Sequence, residues 1–178
     1  MGRYGEWMQT HTGVMFYPLD ARVGDINPID IAHALGMTCR YSGHTAHFYS
    51  VAEHSVHVSY NVPKEYALWG LLHDATEAYL TDMPRPIKRS MPSYRVAERG
   101  LMNVICEKFG LPKLMPKEVK KADRAMLATE QSQVMRVQIP WYDMPEPPLD
   151  NVTIRFWSPI VAAGRFACRL DELWENNC

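Results

Sequence analysis

The sequence predicts a mainly α-helical fold with a short N-terminal β-hairpin. Three observations carry this. Capping residues or prolines stand repeatedly where a helix would begin, at Asn27-Pro28, Ser50, Pro63, Pro92, Pro116 and Ser158-Pro159. Short β-prone runs occur around Thr12-Gly13, in WMQTHTGVMFYPLD. One stretch, ALWGLL, is apolar nearly all round, as a helix running through a core must be.

The elements follow in order. WMQTHTGVMFYPLD forms the hairpin and leads into a loop-rich stretch. Asn27 caps a helix that Pro28 opens, continuing through IDIAHAL. TCRYSGHTAHFY, at 38–49, has no helical period and reads as extended or looping. Ser50 and Glu53 have the spacing of a reciprocal capping box, so a helix carries VAEHSVHVSY and holds His54 in its first two turns. Pro63 opens the next helix, KEYALWGLLHDATEAYL, with a charged pair at the end of its apolar centre. Later helices start at Pro92, Pro116 and Pro159, and Gly110 stops the first of them. The proline-rich WYDMPEPPLD reads as an extended surface connection. No internal repeat is present, and the whole of 1–178 reads as one domain.

Composition narrows the classes of function. Of 178 residues, 47% are hydrophobic and 22% charged, an ordinary globular balance. Nineteen Lys and Arg against 20 Asp and Glu leave no basic field of the kind that grips a duplex, so no long nucleic acid is expected. Cys39, Cys106, Cys168 and Cys178 are scattered, with no C-x-x-C pair, which suits a reducing compartment. The start, MGRYGEWMQTHTG, has no apolar signal core, and no apolar run is long enough to span a bilayer. The expectation is a soluble cytoplasmic protein without a membrane partner.

His73 and Asp74 are adjacent, with Glu77 four residues beyond the histidine, so three polar groups lie near one another at the end of an apolar helix. An ionised aspartate beside such a run needs a cation or several hydrogen bonds to offset its desolvation, and a divalent metal supplies that charge.

AEHS at 52–55, LLHDATEAYLTDMPRP at 71–86 and KKAD at 120–123 resemble, in order and spacing, the HD-domain metal-dependent phosphohydrolase superfamily. The resemblance covers roughly residues 28–135. It implies an HD-domain helical bundle with a divalent ion held by His54, His73, Asp74 and Asp123. Two imidazoles and two carboxylates suit zinc, cobalt or manganese better than magnesium. On a six-coordinate ion they would leave room for a water and a phosphate oxygen. His57 reads as a packing or supporting residue instead of a ligand.

The same resemblance gives Glu77 and Asp82 the task of orienting and deprotonating the attacking water. Arg40 and Tyr41 sit where HD-domain deoxynucleotidases carry an arginine and an aromatic, to grip phosphate and exclude a 2′-hydroxyl. Lys88 and Lys120 are placed to neutralise further phosphates. RYSGHTAHFYSVAEHSVHVS together with DATEAYLTDMPRPIK is similar to the small phage-type dATP triphosphohydrolases, with His44 and His47 in the segment where base selectivity would lie. The expectation is therefore an enzyme, a deoxynucleotide phosphohydrolase that converts dATP to deoxyadenosine and triphosphate. The small-molecule substrate would be its main partner, with self-assembly into a homo-oligomer and a phage or prophage origin. The rivals are a 5′-deoxynucleotidase acting on monophosphates and a catalytically silent nucleotide-binding module. An HD nuclease ranks lowest on charge.

Overall fold

The computed structural model describes residues 2–142, 144 and 146–174. The chain opens with an antiparallel hairpin, β1 (Met8–Gln9) and β2 (Met15–Phe16), in which Met8 faces Phe16 and Gln9 faces Met15. Its turn is closed by Thr10 and Val14. The Asp30 carboxylate then accepts from the backbone and hydroxyl of Thr12 at 2.7 and 2.8 Å, so the hairpin is tied to the first helix.

Eight α-helices follow among the described residues: α1 (Pro28–Met37), α2 (Val51–Tyr60), α3 (Ala67–Leu72), α4 (Glu77–Leu80), α5 (Arg85–Lys88), α6 (Pro92–Phe109), α7 (Lys117–Gln133) and α8 (Pro159–Trp174). The predicted mainly helical fold with an N-terminal hairpin is the observed one. Asn27 caps α1 by accepting from Ile29 N at 2.9 Å, and Gly110, at φ 67°, ends α6 in the left-handed conformation that glycine takes without strain.

α2 and α3 form the centre. α2 packs on α1, α3, α7 and α8, and α3 on α2, α7 and α8. They divide the apolar interior into two clusters and contribute to both: Val56 and Leu71 face one with Phe166 of α8, while Val58 and Trp69 face the other with Met126 of α7. Each fully buried aliphatic side chain of this kind contributes roughly 1.5–3 kcal/mol. α1 and α8 make the most extensive helix pair. Their close approach requires Gly36, because a Cβ there would stand 2.8 Å from both Ala163 Cβ and Pro159 O.

Three expectations need correction. KEYALWGLLHDATEAYL is not one helix: Lys64–Tyr66 is a tight 3₁₀ turn, α3 ends at Leu72, and α4 begins at Glu77. The intervening turn carries shorter-range bonds, from Ala75 N to Leu72 O and from Glu77 N to Asp74 O, both 3.0 Å. A local cause is visible, since His73 Nδ1 lies 2.8 Å from Gly70 O, the carbonyl that Asp74 N–H would use in a continuous helix. The capping box at α2 is half formed: Ser50 Oγ accepts from Glu53 N at 3.1 Å, but the Glu53 side chain turns elsewhere. Finally, α5 has no counterpart in the predicted elements.

The proline-rich connection is non-helical where described, and Asp143 and Pro145 within it, like Cys178, lie outside the described residues. Cys39, Cys106 and Cys168 are free thiols. Among the described residues no helix is long and apolar enough to cross a membrane.

Candidate metal centre

Three elements converge on the centre of the bundle. Ser50 caps α2 and fixes His54 one turn into it, fully buried. The broken end of α3 turns His73 and Asp74 towards α2, and α7 brings Asp123 from the other side. His54 Nε2 and His73 Nε2 face each other at 3.2 Å. Asp123 Oδ1 lies 3.2 Å from the first and 3.7 Å from the second. His54, His73 and Asp123 thus form a group whose ligand atoms all lie within 4.8 Å, able to hold a metal ion. Asp74 adjoins it, with Oδ2 3.2 Å from His73 Nε2 and 3.7 Å from His54 Nε2.

Hydrogen bonding sets the tautomers. His54 Nδ1 lies 2.6 Å from Glu130 Oε1 and His73 Nδ1 2.8 Å from Gly70 O. A carboxylate and a carbonyl only accept, so each Nδ1 carries the hydrogen. In the neutral rings both Nε2 lone pairs then point at each other and at two carboxylates. Such a set of acceptors repels itself unless a cation, or protons, sits among it, and two imidazoles with carboxylate oxygens match the donor chemistry of a divalent transition metal.

Without an ion, protons supply the balance. Burial pushes the Asp74 carboxyl up, but the His73 imidazole outweighs it and holds it at about 2. Burial likewise acts against Asp123, and its hydrogen bonds to the two histidines hold it well below the carboxylate range. Both imidazoles are raised in turn. For His73, burial is overcome chiefly by Asp74. For His54, burial and Arg40 are overcome by Glu130 and Asp123. The histidine side chains are almost wholly enclosed while the Asp123 side chain is 40% exposed, so the centre opens to solvent on its carboxylate side.

Glu77 and Asp82 are brought close enough to interact. Glu77 is buried with Oε2 unpaired, and its carboxyl is raised well above the usual range by burial, then by the charges of Asp74 and Asp82. Thr81 between them holds φ 66°, a strained backbone for a β-branched residue. The Tyr94 hydroxyl pins this reversal, 2.8 Å from Thr81 O.

Arg40 and Tyr41 also reach the centre. The chain leaves α1, loops out and returns, closed by Arg40 N to Tyr49 O at 2.9 Å and Val51 N to Thr38 O at 3.0 Å. Arg40 is buried, 3.6 Å from Asp74 Oδ2 and 3.0 Å from Glu130 Oε2. Tyr41 and Ser42 hold left-handed backbone, φ 54° and 51°, and the Tyr41 hydroxyl bonds Glu130.

The remaining candidates are placed differently. Lys88 donates to Glu98 at 2.6 Å, a bond that outweighs burial and raises its ammonium pKa. Lys120 is exposed on the first turn of α7. His44 is exposed, and His47 meets Phe156 edge-on. His57 stacks on Trp157, in keeping with a packing role.

Sequence reasoning missed Glu130 and Tyr49, both fully buried at the centre. Glu130 follows Asp123 by seven residues, two turns along the same face of α7, which was the available signal.

No protein-family model matches the chain. It is 48% identical over 124 residues to the "Uncharacterized protein YfdR" of Escherichia coli (strain K12), covering 70% of each chain. The chain belongs to the YfdR family. It is also 34% identical over 129 residues to the "Uncharacterized protein RCAP_rcc00048" of Rhodobacter capsulatus, covering 67% of this chain and 66% of that one.

Proposed function

We propose that this member of the YfdR family is a metal-dependent phosphohydrolase of the HD type acting on deoxynucleotides, with dATP cleaved to deoxyadenosine and triphosphate as its leading reaction. The observation that carries the reading is the opposed Nε2 pair of His54 and His73, 3.2 Å apart and flanked by Asp74 and Asp123. A divalent ion held there supplies Lewis-acid polarisation of a phosphate and lowers the pKa of water.

The chain's own residues complete the chemistry. Glu77 presents a buried, unpaired oxygen, and its raised pKa suits a group that takes a proton from the attacking water near neutral pH. Asp82 orients that water. Arg40 lies beside Asp74, where its fixed charge stabilises phosphate. Tyr41, next along the loop, crowds a 2′-hydroxyl and selects deoxyribose. Lys120, exposed one turn before Asp123, meets the outer phosphates of a triphosphate. The preference for adenine rests on the resemblance of the segment around Tyr41 and His44 to phage-type dATP triphosphohydrolases, which also favours a phage or prophage setting.

One observation favours the second reading, a 5′-deoxynucleotidase. Lys88 is engaged by Glu98, so a phosphate gains its charge only by displacing that bond. The experiment that separates them is mass-spectrometric product analysis of protein loaded with Zn²⁺, Co²⁺ or Mn²⁺ against deoxy- and ribonucleoside mono- and triphosphates. Intact triphosphate from dATP is the expected product. Orthophosphate from monophosphates would establish the second reading, and no turnover with any ion would leave a nucleotide-binding module.

A further inference from the structure

We infer that Glu130 is a positioning residue of the metal centre: it fixes the tautomer and ring orientation of His54 and locks that histidine to the loop that carries Arg40 and Tyr41. The inference rests on the metal-centre reading and goes beyond it.

Glu130 is fully buried, and both of its oxygens are occupied by side chains from α2 and from the loop that precedes it. Oε1 accepts from His54 Nδ1 at 2.6 Å and from the Tyr49 hydroxyl at 2.8 Å. Oε2 accepts from Arg40 at 3.0 Å and from the Tyr41 hydroxyl. None of these partners is a backbone group, so the carboxylate does not close a helix end or a turn. Its placement is also economical in sequence, because α7 delivers Asp123 to the ion side of His54 and, two turns on, Glu130 to the opposite nitrogen. One helix therefore sets both faces of the imidazole.

The physical consequence is specific. A carboxylate behind Nδ1 keeps the proton there, leaves Nε2 free to bind a cation, and increases its basicity. Losing such a partner weakens metal affinity by about 10- to 100-fold. The other oxygen does different work. It holds Tyr41, whose left-handed backbone is costly unless its side chain is anchored, and it fixes the orientation of the buried Arg40 guanidinium. The histidine cannot swing without disturbing the substrate loop, and the loop cannot shift without releasing the histidine's partner.

The test is a Co²⁺ titration of the full chain, read by visible absorption, for wild type, Glu130→Gln and Glu53→Gln. Glu53 is an equally buried carboxylate whose oxygens accept from the backbone of Arg155, Phe156 and Trp157 and from no side chain of the metal group, so it controls for lost stability. The expected result is wild-type Co²⁺ affinity in Glu53→Gln and roughly 10- to 100-fold weaker binding in Glu130→Gln. Equal affinity in wild type and Glu130→Gln would overturn this inference while leaving the metal centre intact. Failure of wild type to bind Co²⁺ would end both. Should Glu130→Gln not fold, ¹H–¹⁵N spectra of wild-type His54 decide the matter. A hydrogen on Nδ1, whether or not Nε2 is also protonated, supports the role, and a neutral ring whose single hydrogen sits on Nε2 removes it.

Discussion

Glu53 and Glu130 are both fully buried and both ionisable, yet the chain uses them in opposite ways. Glu53 sits at the start of α2 and its two oxygens accept from Arg155 N, Phe156 N and Trp157 N at 2.7, 3.1 and 2.7 Å. All three partners are backbone groups of the segment leading into α8. It serves as a clamp on the C-terminal connection, satisfying donors of an irregular, only partly buried segment whose backbone is in neither helix nor strand there. Glu130 has the same burial and side chains alone for partners, among them a histidine of the metal group. Burial by itself therefore does not mark a functional carboxylate; the kind of partner does.

The largest test of that contrast starts at the metal group. His73→Ala should remove Co²⁺ binding and lower any hydrolytic turnover by more than about 100-fold, beyond the loss expected for a supporting partner. Calorimetric titration checks the first and product analysis the second; retention of tight binding would mean that Asp74, His54 and Asp123 suffice.

Replacing either buried glutamate by alanine should cost about 3–5 kcal/mol, through uncompensated Arg40 in one case and three orphaned backbone donors in the other. Urea unfolding of Glu53→Ala and Glu130→Ala measures both. A large cost for only one of them would show that the two sites are not energetic equivalents.

The pH dependence separates them further. In the ion-free protein His54 and His73 are raised, so their contribution is complete below the unfolded value of about 6.5 and is lost as pH rises through the folded ones. Asp74 and Glu130, held at about 2, contribute above the ordinary carboxylate range and lose that contribution as pH falls. A bound cation replaces the histidine protons. The gain in Tm on adding Co²⁺ should therefore grow as pH rises through the histidine range, in wild type and in Glu53→Gln alike. A gain independent of pH would place the ion elsewhere.

Smaller effects test the frame. Gly36→Ala should cost roughly 1–3 kcal/mol by forcing α1 and α8 apart. Ser50→Ala should cost about 1 kcal/mol through lost capping of α2. Both are read from urea midpoints, and neither should change Co²⁺ affinity beyond the change caused by Glu53→Gln.

Much of the fold was determined locally and could be read without the structure. Asn27-Pro28, Ser50, Pro92 and Gly110 act on the backbone within one turn, so the helix boundaries they set are written in adjacent residues. The hairpin follows in the same way from the turn at Thr10–Gly13. His54, His73 and Asp123, which could hold an ion, were also legible, through the resemblance of AEHS, LLHD and KKAD to the HD pattern rather than through the His-Asp pair alone.

Tertiary structure decided what depends on distant partners. The break after Leu72 arises from a side chain competing for a carbonyl, which no apolar period reports. Glu53 has the spacing of a capping residue and was recruited instead by backbone about a hundred residues away. Lys88 carries a charge that the sequence leaves free and Glu98 claims. Glu130 is an ordinary helical glutamate until Arg40, Tyr41, Tyr49 and His54 close around it. Capping and turn preferences act over a few bonds, whereas the partner of a buried charge is chosen by packing, and packing exists only once the chain has folded.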